Sequence, residues 1–411
     1  MRILHVTQGY APAIGGTEWL IQRVSEELVR QFGDEVTVFT TNCYSGEAFY
    51  TPRLPRLPAG WSELNGVRIR RFPVLSRVSQ VLRLLQAPAH RLRLPGNQHL
   101  RAWSGGPLVP GLARAIAEHP ADVIAASSFP LMHMFAALQG ARQSGRPVAL
   151  HGGLHPDDRW GFDRPMIYEA IRAADHYIAN TQFEANYIVE RGADPARVTD
   201  IGTGVDVERF AGLTAAEAKA RLGLEAGPVV GFIGQMGRHK GVDTLLRAMP
   251  QVWQAVPEAR LLLAGARTLY ADFMEREIRA WPAAQRRKVT IAFNFDEADK
   301  PALFRAVDVL AYPTGYESFG IAFLEAWACG LPVVGCRRGA IPWVVTAGRD
   351  GLLVPFQDDL NLAEAIVLLL RNPRWARLLG EAGHKKVEIR YNWREVGRRF
   401  RAVYEKVLHN L

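Results

Sequence analysis

The chain predicts an α/β protein built from two doubly wound halves, and three observations carry that expectation. Short apolar runs alternate with amphipathic stretches of helical period along most of its 411 residues, which implies parallel sheets covered by helices on both faces. The length exceeds what a single hydrophobic core usually serves, so the scheme is expected twice. The segment 211–227, rich in Ala and Gly, separates the two sets of strands and places a hinge within 204–228.

The first half opens with a strand at 2–7, a loop through Gly9, Pro12, Gly15 and Gly16, and a helix from about 17 to 32. Leu20, Ile21, Val24 and Leu28 share one face of that helix, and Gly33-Asp34 ends it before a strand at 35–40. This is a β-loop-α-β unit with glycines at the carboxyl edge of the strand, where open parallel sheets bind ligands. Further strands are expected at 122–125, 147–151 and 176–179. The second half repeats the order with strands at 229–233, 260–264, 289–293, 307–312 and 332–335. Two such domains are expected to face one another across a cleft.

Composition narrows the class. An apolar fraction of 48% and a mean hydropathy of -0.06 suit a soluble protein, and no run approaches the roughly 18 apolar residues that span a bilayer. Met1-Arg-Ile-Leu-His-Val-Thr is too short an apolar run for a signal peptide and lacks a small-residue cleavage site, so a cytoplasmic location is expected. Cys43, Cys329 and Cys336 lack metal-type spacing and are expected to be reduced, structural thiols; neither a zinc site nor a disulfide framework is indicated. The formal charge of +9 and isoelectric point near 9.6 favour an anionic partner without choosing among nucleotide, phospholipid and nucleic acid.

The chemistry concentrates in Glu317-Ser-Phe-Gly-Ile-Ala-Phe-Leu-Glu325. A buried strand ended by Pro313 precedes it, and 321–329 reads as a helix stopped by Gly330 and Pro332, so Glu317 falls in the loop and Glu325 on the helix. A diphosphate is drawn to a helix N-terminus, and Gly320 lets the backbone approach it. The two carboxylates then accept hydrogen bonds from hydroxyls on either side of that anion. On spacing alone, a solvated loop acid and a surface acid of the helix are the better account of the pair, because so short a pattern often arises by chance.

In its surroundings the segment resembles the corresponding part of retaining glycosyltransferases of family 4, which have the two-Rossmann-domain GT-B architecture. The resemblance runs nearly end to end. It rests on Gly15-Gly16-Thr-Glu with its helix, Asp34-Glu-Val-Thr-Val-Phe-Thr, Thr203-Gly-Val-Asp206 and Phe232-Ile-Gly-Gln-Met-Gly-Arg-His-Lys-Gly241. Glu317 to Glu325, Ala328-Cys-Gly-Leu-Pro-Val-Val334 and Gly351-Leu-Leu-Val-Pro355 complete it. It implies an N-terminal, acceptor-side domain over 1–205, a nucleotide-sugar-binding domain over 206–385, and a C-terminal helix within 386–411 that crosses back to the first domain. Val396, Phe400, Val403, Tyr404 and Val407 give that helix its apolar face.

The resemblance also implies residue roles. Glu325 holds the donor ribose, Glu317 the hydroxyls of the transferred sugar, and the backbone around Phe319, Gly320 and Ile321 contacts sugar and diphosphate. Phe295 falls where a backbone segment receives the base, and His151 faces the donor sugar from the N-terminal domain, with His155 as a nearby competitor. Gly15 and Gly16 contact donor phosphates or acceptor, or simply make a tight turn. Lys240 neutralises the leaving diphosphate, so no metal and no cofactor are expected. Lysine is scarce here, at 7 residues against 43 arginines, so a lysine at this position is not mere composition.

The pattern breaks at Gln235, where relatives carry an arginine five residues before the lysine. An amide donates to phosphate without offsetting its charge, and Arg238 in the same loop is the candidate replacement. The expected reaction is retaining, metal-independent transfer of a sugar from a nucleotide-sugar donor to an acceptor hydroxyl of a glycan or lipid-linked acceptor. A degenerate sugar-nucleotide-binding scaffold, or a non-transferring GT-B relative such as an epimerase, is the alternative. A dehydrogenase is disfavoured because the loop 8–16 lacks Gly-x-Gly-x-x-Gly.

One further segment stands out. From Leu64 to Ala117 there are nine Arg and no Asp, Glu or Lys, and Val74, Leu75, Val78, Val81, Leu82 and Leu85 recur at helical spacing, with Arg77 and Arg83 off that stripe. Two readings stand: a helix packed on its own domain with a solvated basic face, or a peripheral docking element for anionic membrane or a lipid-diphosphate acceptor on the inner face of a membrane. Nucleic acid is not an expected partner, because no nucleic-acid fold or interleaved aromatics accompany the arginines.

Overall fold

The computed structural model describes residues 1–13 and 15–409. The chain divides into two compact units, Met1–Thr203 joined by the closing segment from Trp393, and Gly204–Asn392.

The strands of the first unit are β1 (Arg2–Thr7), β2 (Glu35–Thr41), β3 (Gly60–Leu64), β4 (Val67–Phe72), β5 (Val123–Ser127), β6 (Val148–His151), β7 (His176–Ala179) and β8 (Val198–Asp200). They form one sheet in the order β3-β4-β2-β1-β5-β6-β7-β8. All neighbours are parallel except the β3–β4 hairpin. Ile3 is paired with Val36 on one side and Val123 on the other. The strand order therefore reverses at β1, and the loop carrying Gly15 leaves the sheet at that switch point.

The hairpin was not foreseen, although its signal is present. Asn65 and Gly66 both have positive φ, 52° and 78°, the two-residue turn that an Asn-Gly pair favours. The basic run thus begins in a strand, where Arg70 stacks on Phe72 at 4.7 Å. The helix Ser76–Arg91 follows, and it counts against the reading in which its apolar stripe packs on its own domain. Leu75, Val78, Val81 and Leu85 are exposed, whereas Ser76, Ser79 and Ala89 are buried. The small face wins because the neighbouring backbone is close: Gly106 passes beside Ser79 and Phe49, and Ser76 Oγ donates to the Ala48 carbonyl at 2.9 Å.

The last helix, Trp393–His409, belongs to the first unit and buries Val396, Phe400, Val403, Tyr404 and Val407. Gly397 allows it to lie against the helix Gly16–Phe32, since a Cβ there would stand 2.8 Å from Glu27 Cβ. Polar ties fix its register: Arg401 Nε to Asp34 at 2.9 Å, Arg399 to the Ile201 carbonyl at 2.9 Å, and Tyr404 Oη with His5 Nε2 at 3.0 Å.

The second unit holds β9 (Val229–Ile233), β10 (Arg260–Gly265), β11 (Val289–Phe293), β12 (Val309–Ala311), β13 (Val333–Cys336) and β14 (Leu352–Val354). They form a wholly parallel sheet in the order β11-β10-β9-β12-β13-β14. Their sequences are near-continuous apolar runs because helices cover both faces. Here the order reverses at β9, so the loops leaving β9 and β12 emerge side by side. Cys329 and Cys336 are buried free thiols, both pushed up to about 12 chiefly by burial, as suits structural rather than reactive cysteines.

Candidate functional site

The adjacent loops after β9 and β12 build a charged cluster in the second unit. The β9 loop runs through Gly234 and Gln235 into a short turn, Arg238–Lys240, before the helix Val242–Ala255. Gly241 joins turn to helix at φ 80°, and a Cβ there would lie 2.2 Å from the Pro313 carbonyl oxygen. Only glycine permits that conformation against that neighbour. The loops are clipped again where the Gly315 amide donates to the His239 carbonyl at 3.1 Å.

This clipping brings Lys240 to Glu317. Lys240 Nζ donates to Glu317 Oε1 at 2.5 Å, and the same oxygen accepts from the Tyr312 hydroxyl at 3.1 Å. Tyr312 is buried, and burial followed by the Glu317 charge pushes its pKa well above the ordinary value, so it remains a donor. Gly234 makes room for the Tyr312 ring, which a Cβ would approach to 2.8 Å.

Gly320, at φ 95°, starts the helix Ile321–Ala328. Its first N–H groups have no partner within the helix. Glu325 lies one turn further on, 8% exposed, with Lys300 Nζ at 2.7 Å. Burial raises the Glu325 pKa, and Lys300 pulls it partly back. Burial also pulls Lys300 down, but Glu325 and Glu297 outweigh it and its pKa ends raised. Lys300 reaches Glu297 at 3.4 Å and Glu297 meets Arg209 at 3.2 Å, so the charges alternate outward from the helix.

Known proteins resemble this chain in sequence and in fold. Residues 14–209 match the family described as Glycosyltransferase Family 4, and residues 227–372 match Glycosyl transferases group 1. The D-inositol 3-phosphate glycosyltransferase of Thermobifida fusca is 30% identical over 331 residues, covering 74% of each chain. This chain belongs to the family 4, group 1 glycosyltransferases.

Among other relatives of this glycosyltransferase, the GDP-mannose-dependent alpha-(1-6)-phosphatidylinositol monomannoside mannosyltransferase of Mycolicibacterium smegmatis is 28% identical over 413 residues, covering 97% of this chain and 96% of its own. The D-inositol 3-phosphate glycosyltransferase of Segniliparus rotundus is 33% identical over 246 residues. There the match spans 58% of this chain and about half, 54%, of the relative. Among solved structures, Anabaena HepE in complex with UDP and glucose superposes with a TM-score of 0.71 at 17% identity, covering 98% of this chain and 99% of its own. That likeness is one of fold, and the fold of this glycosyltransferase is GT-B: two parallel-sheet α/β domains.

The structure brings Lys240, Glu317, Gly320, Ile321 and Glu325 to one edge of the second sheet. The Phe319 ring is turned inward onto Tyr391, with centroids 5.3 Å apart, and the residue as a whole is buried. Phe295 is half-buried after β11. Gln235 is exposed. The Arg238 side chain is 74% exposed, with Nε 3.7 Å from Asp243 Oδ2, a carboxylate it shares with Arg247 at 3.3 Å.

In the first unit of the glycosyltransferase, Gly15 has an extended backbone, and its Cα faces the Glu18 carboxylate. A Cβ would stand 2.2 Å from Glu18 Oε2, and Glu18 is itself held by Gln8 at 3.0 Å. Gly16 opens the following helix. His151, at the end of β6, is 3% exposed and lies beside Phe400, with ring centroids 5.8 Å apart. Its Nε2 meets Asn180 Oδ1 at 2.8 Å, while its buried Nδ1 has no partner. Burial lowers its pKa to about 4, against a smaller opposing effect of Asn180, so the ring is neutral near pH 7. His155 is only half-buried.

Sequence reasoning missed three contributors. Lys300 carried the signal that singled out Lys240, since lysine is scarce throughout. Tyr312 and Glu184 carried none. Glu184, buried at 1% exposure, accepts from the Tyr177 hydroxyl at 2.6 Å and from the amides of Leu154 and Asn180 at 3.0 and 2.8 Å. It ties together the loops that carry His151 and its partner.

Proposed function

We propose that this glycosyltransferase moves a sugar from a nucleotide-sugar donor to an acceptor hydroxyl with retention at the anomeric carbon and without a metal ion. The observation that carries the reading is the Lys240–Glu317 contact of 2.5 Å beside the start of the helix Ile321–Ala328. A cation next to unpaired N–H groups suits a leaving diphosphate, whose charge grows as its bond to the anomeric carbon breaks. The acceptor oxygen takes over that bond, and its proton departs on the released phosphate. Glu317 orients the sugar hydroxyls, Glu325 the ribose, the backbone at Phe319 to Ile321 the diphosphate, and the backbone at Phe295 the base. His151, Gly15 and Gly16 act from the first unit, and Gln235 donates to phosphate with Arg238 as the supplementary charge.

The relatives named for D-inositol 3-phosphate and phosphatidylinositol monomannoside, together with a charge of +9, support an acceptor with an anionic head group, free or borne on a lipid. A cytoplasmic enzyme peripheral to the inner face of a membrane fits that acceptor.

The test is calorimetric titration with UDP-, GDP- and ADP-sugars, followed by hydrolysis and transfer assays with and without EDTA. One donor is expected to bind and turn over slowly without acceptor, unaffected by EDTA. Lys240→Ala is expected to lower kcat by about a hundredfold or more, and Arg238→Ala to cost far more turnover than loss of a surface arginine such as Arg114. Tight binding with no turnover across the panel overturns the transferase reading in favour of a scaffold.

A further inference from the structure

The helix Ser76–Arg91 presents the face that a soluble domain ordinarily hides. Val78, Val81 and Leu85 are exposed by 45%, 57% and 54%, Leu84 by 75%, and Leu92 just beyond the helix by 69%. The orientation is enforced from beneath, where Ser76 Oγ is bonded to Ala48 O and also accepts from Arg56. Rolling the helix to hide its leucines would strip those bonds from buried groups. Next to Leu75, an apolar recess of about 270 Å³ lined by Pro107, Val109, Leu112, Met132 and Ala136 extends the apolar surface.

The segment 64–117 that carries this face bears charge of one sign, and Asp158, which caps the short helix of Trp160 and acts on Arg101, lies at the rim. The nine arginines between 64 and 117 have no acid among them. Arg77, Leu84 and Arg91 recur at two-turn intervals and so share a side of the helix. Arg77, Arg91 and Arg93 are exposed, and no ion pair among the described residues holds them. Trp103 and Trp160 stand at the rim, 45% and 48% exposed. Trp160 is tied to the patch by His90, at 4.1 Å between ring centroids, and by Arg101 over its ring at 3.5 Å. Indoles of this kind settle where an apolar phase meets water.

We infer that this face docks on an anionic phospholipid surface, with Val78, Val81, Leu84 and Leu85 entering the acyl boundary and Arg77 and Arg91 meeting phosphates. Charge selects that occupant. A second copy meeting the same face would set arginine against arginine, and nucleic acid offers nothing to the aliphatic stripe. No helix among the described residues is long and apolar enough to cross a membrane, so the contact is peripheral. The docking does not depend on which sugar is moved, and its test is read without catalysis.

The experiment is co-sedimentation of the full chain with vesicles of phosphatidylcholine alone or mixed with phosphatidylglycerol. Binding is expected on the anionic vesicles, with loss at high salt. Val81→Asp combined with Leu85→Asp, and separately Arg77→Glu combined with Arg91→Glu, are each expected to weaken it about tenfold or more. Both variants should keep the wild-type circular dichroism and donor affinity, which shows the fold intact. Failure to sediment, or equal binding to neutral vesicles, overturns the inference. So does a dimer in size-exclusion chromatography that the Val81→Asp, Leu85→Asp variant dissolves. Absent donor turnover in the wild type would count against the transferase reading and leave this outcome untouched.

Discussion

The Lys300 ammonium stands 2.7 Å from the Glu325 carboxylate, and their side chains are only 20% and 10% exposed. Burial disfavours the charged carboxylate, and the lysine restores part of what burial removes. An ionised Glu325 accepts hydrogen bonds from two hydroxyls, whereas a protonated one has lost part of that capacity. Donor affinity is therefore expected to fall with decreasing pH at a higher pH than an ordinary glutamate would give. Lys300→Met removes the opposing charge, raises the Glu325 pKa further and moves the loss upward. At pH 7 the donor KM is expected to rise about tenfold or more, with recovery as pH increases. Steady-state kinetics across pH decides it: a KM penalty independent of pH would mean that Lys300 supports only the local packing.

Tyr312 gives Glu317 a hydroxyl at 3.1 Å from inside the core. Tyr312→Phe keeps the ring and deletes that donor, at a cost of about 1 kcal/mol. A kcat reduced roughly five- to tenfold with little change in donor KM is the expected result. An unchanged kcat would show that Lys240, with the Thr314 hydroxyl at 3.5 Å, positions the carboxylate without the phenol.

Gly241 couples the two loops of the second unit. With φ at 80° and the Pro313 carbonyl where a Cβ would go, Gly241→Ala forces the loops apart as well as straining the backbone, at about 1–3 kcal/mol or more. Both the urea midpoint and donor affinity are expected to fall, because Lys240 moves with the turn. Full affinity in a destabilised variant would contradict that coupling.

Glu184 makes a prediction about stability. Burial is the chief cause that pushes its pKa from 4.5 up to about 7, so between those values the folded chain holds a proton that the unfolded chain has released. Its contribution is fully present below pH 4.5 and is lost as pH rises through the folded value, a decline of about 3 kcal/mol at most. Glu184→Gln cannot titrate, so the wild type should lose stability relative to this variant as pH rises. Chemical denaturation of both proteins across that range measures the difference, and a constant difference would sink the assignment.

Several of these relationships were not legible in the chain. The β3–β4 hairpin announced itself only through Asn65-Gly66, inside a stretch whose arginines drew attention elsewhere. The short strands β8 and β14 expose too little period to register. Lys300 precedes Glu325 by a full helix and strand, and nothing local says that they meet.

Read alone, the sequence determined the two α/β halves, the succession of their main strands along the chain and the helix start at Gly320, and it singled out Lys240, Glu317 and Glu325. Those features are local: apolar period, glycine placement and ordered motifs act within one element or its loop. Tertiary structure decided which charges pair, that Tyr312 and Lys300 stand behind the two glutamates, and that Arg238 leans toward Asp243. It also decided that the helix Ser76–Arg91 turns its leucines to solvent. Helical period gives a helix two faces, but the small side chains of Ser76, Ser79 and Ala89 and the backbone at Gly106 chose which one the domain could bury.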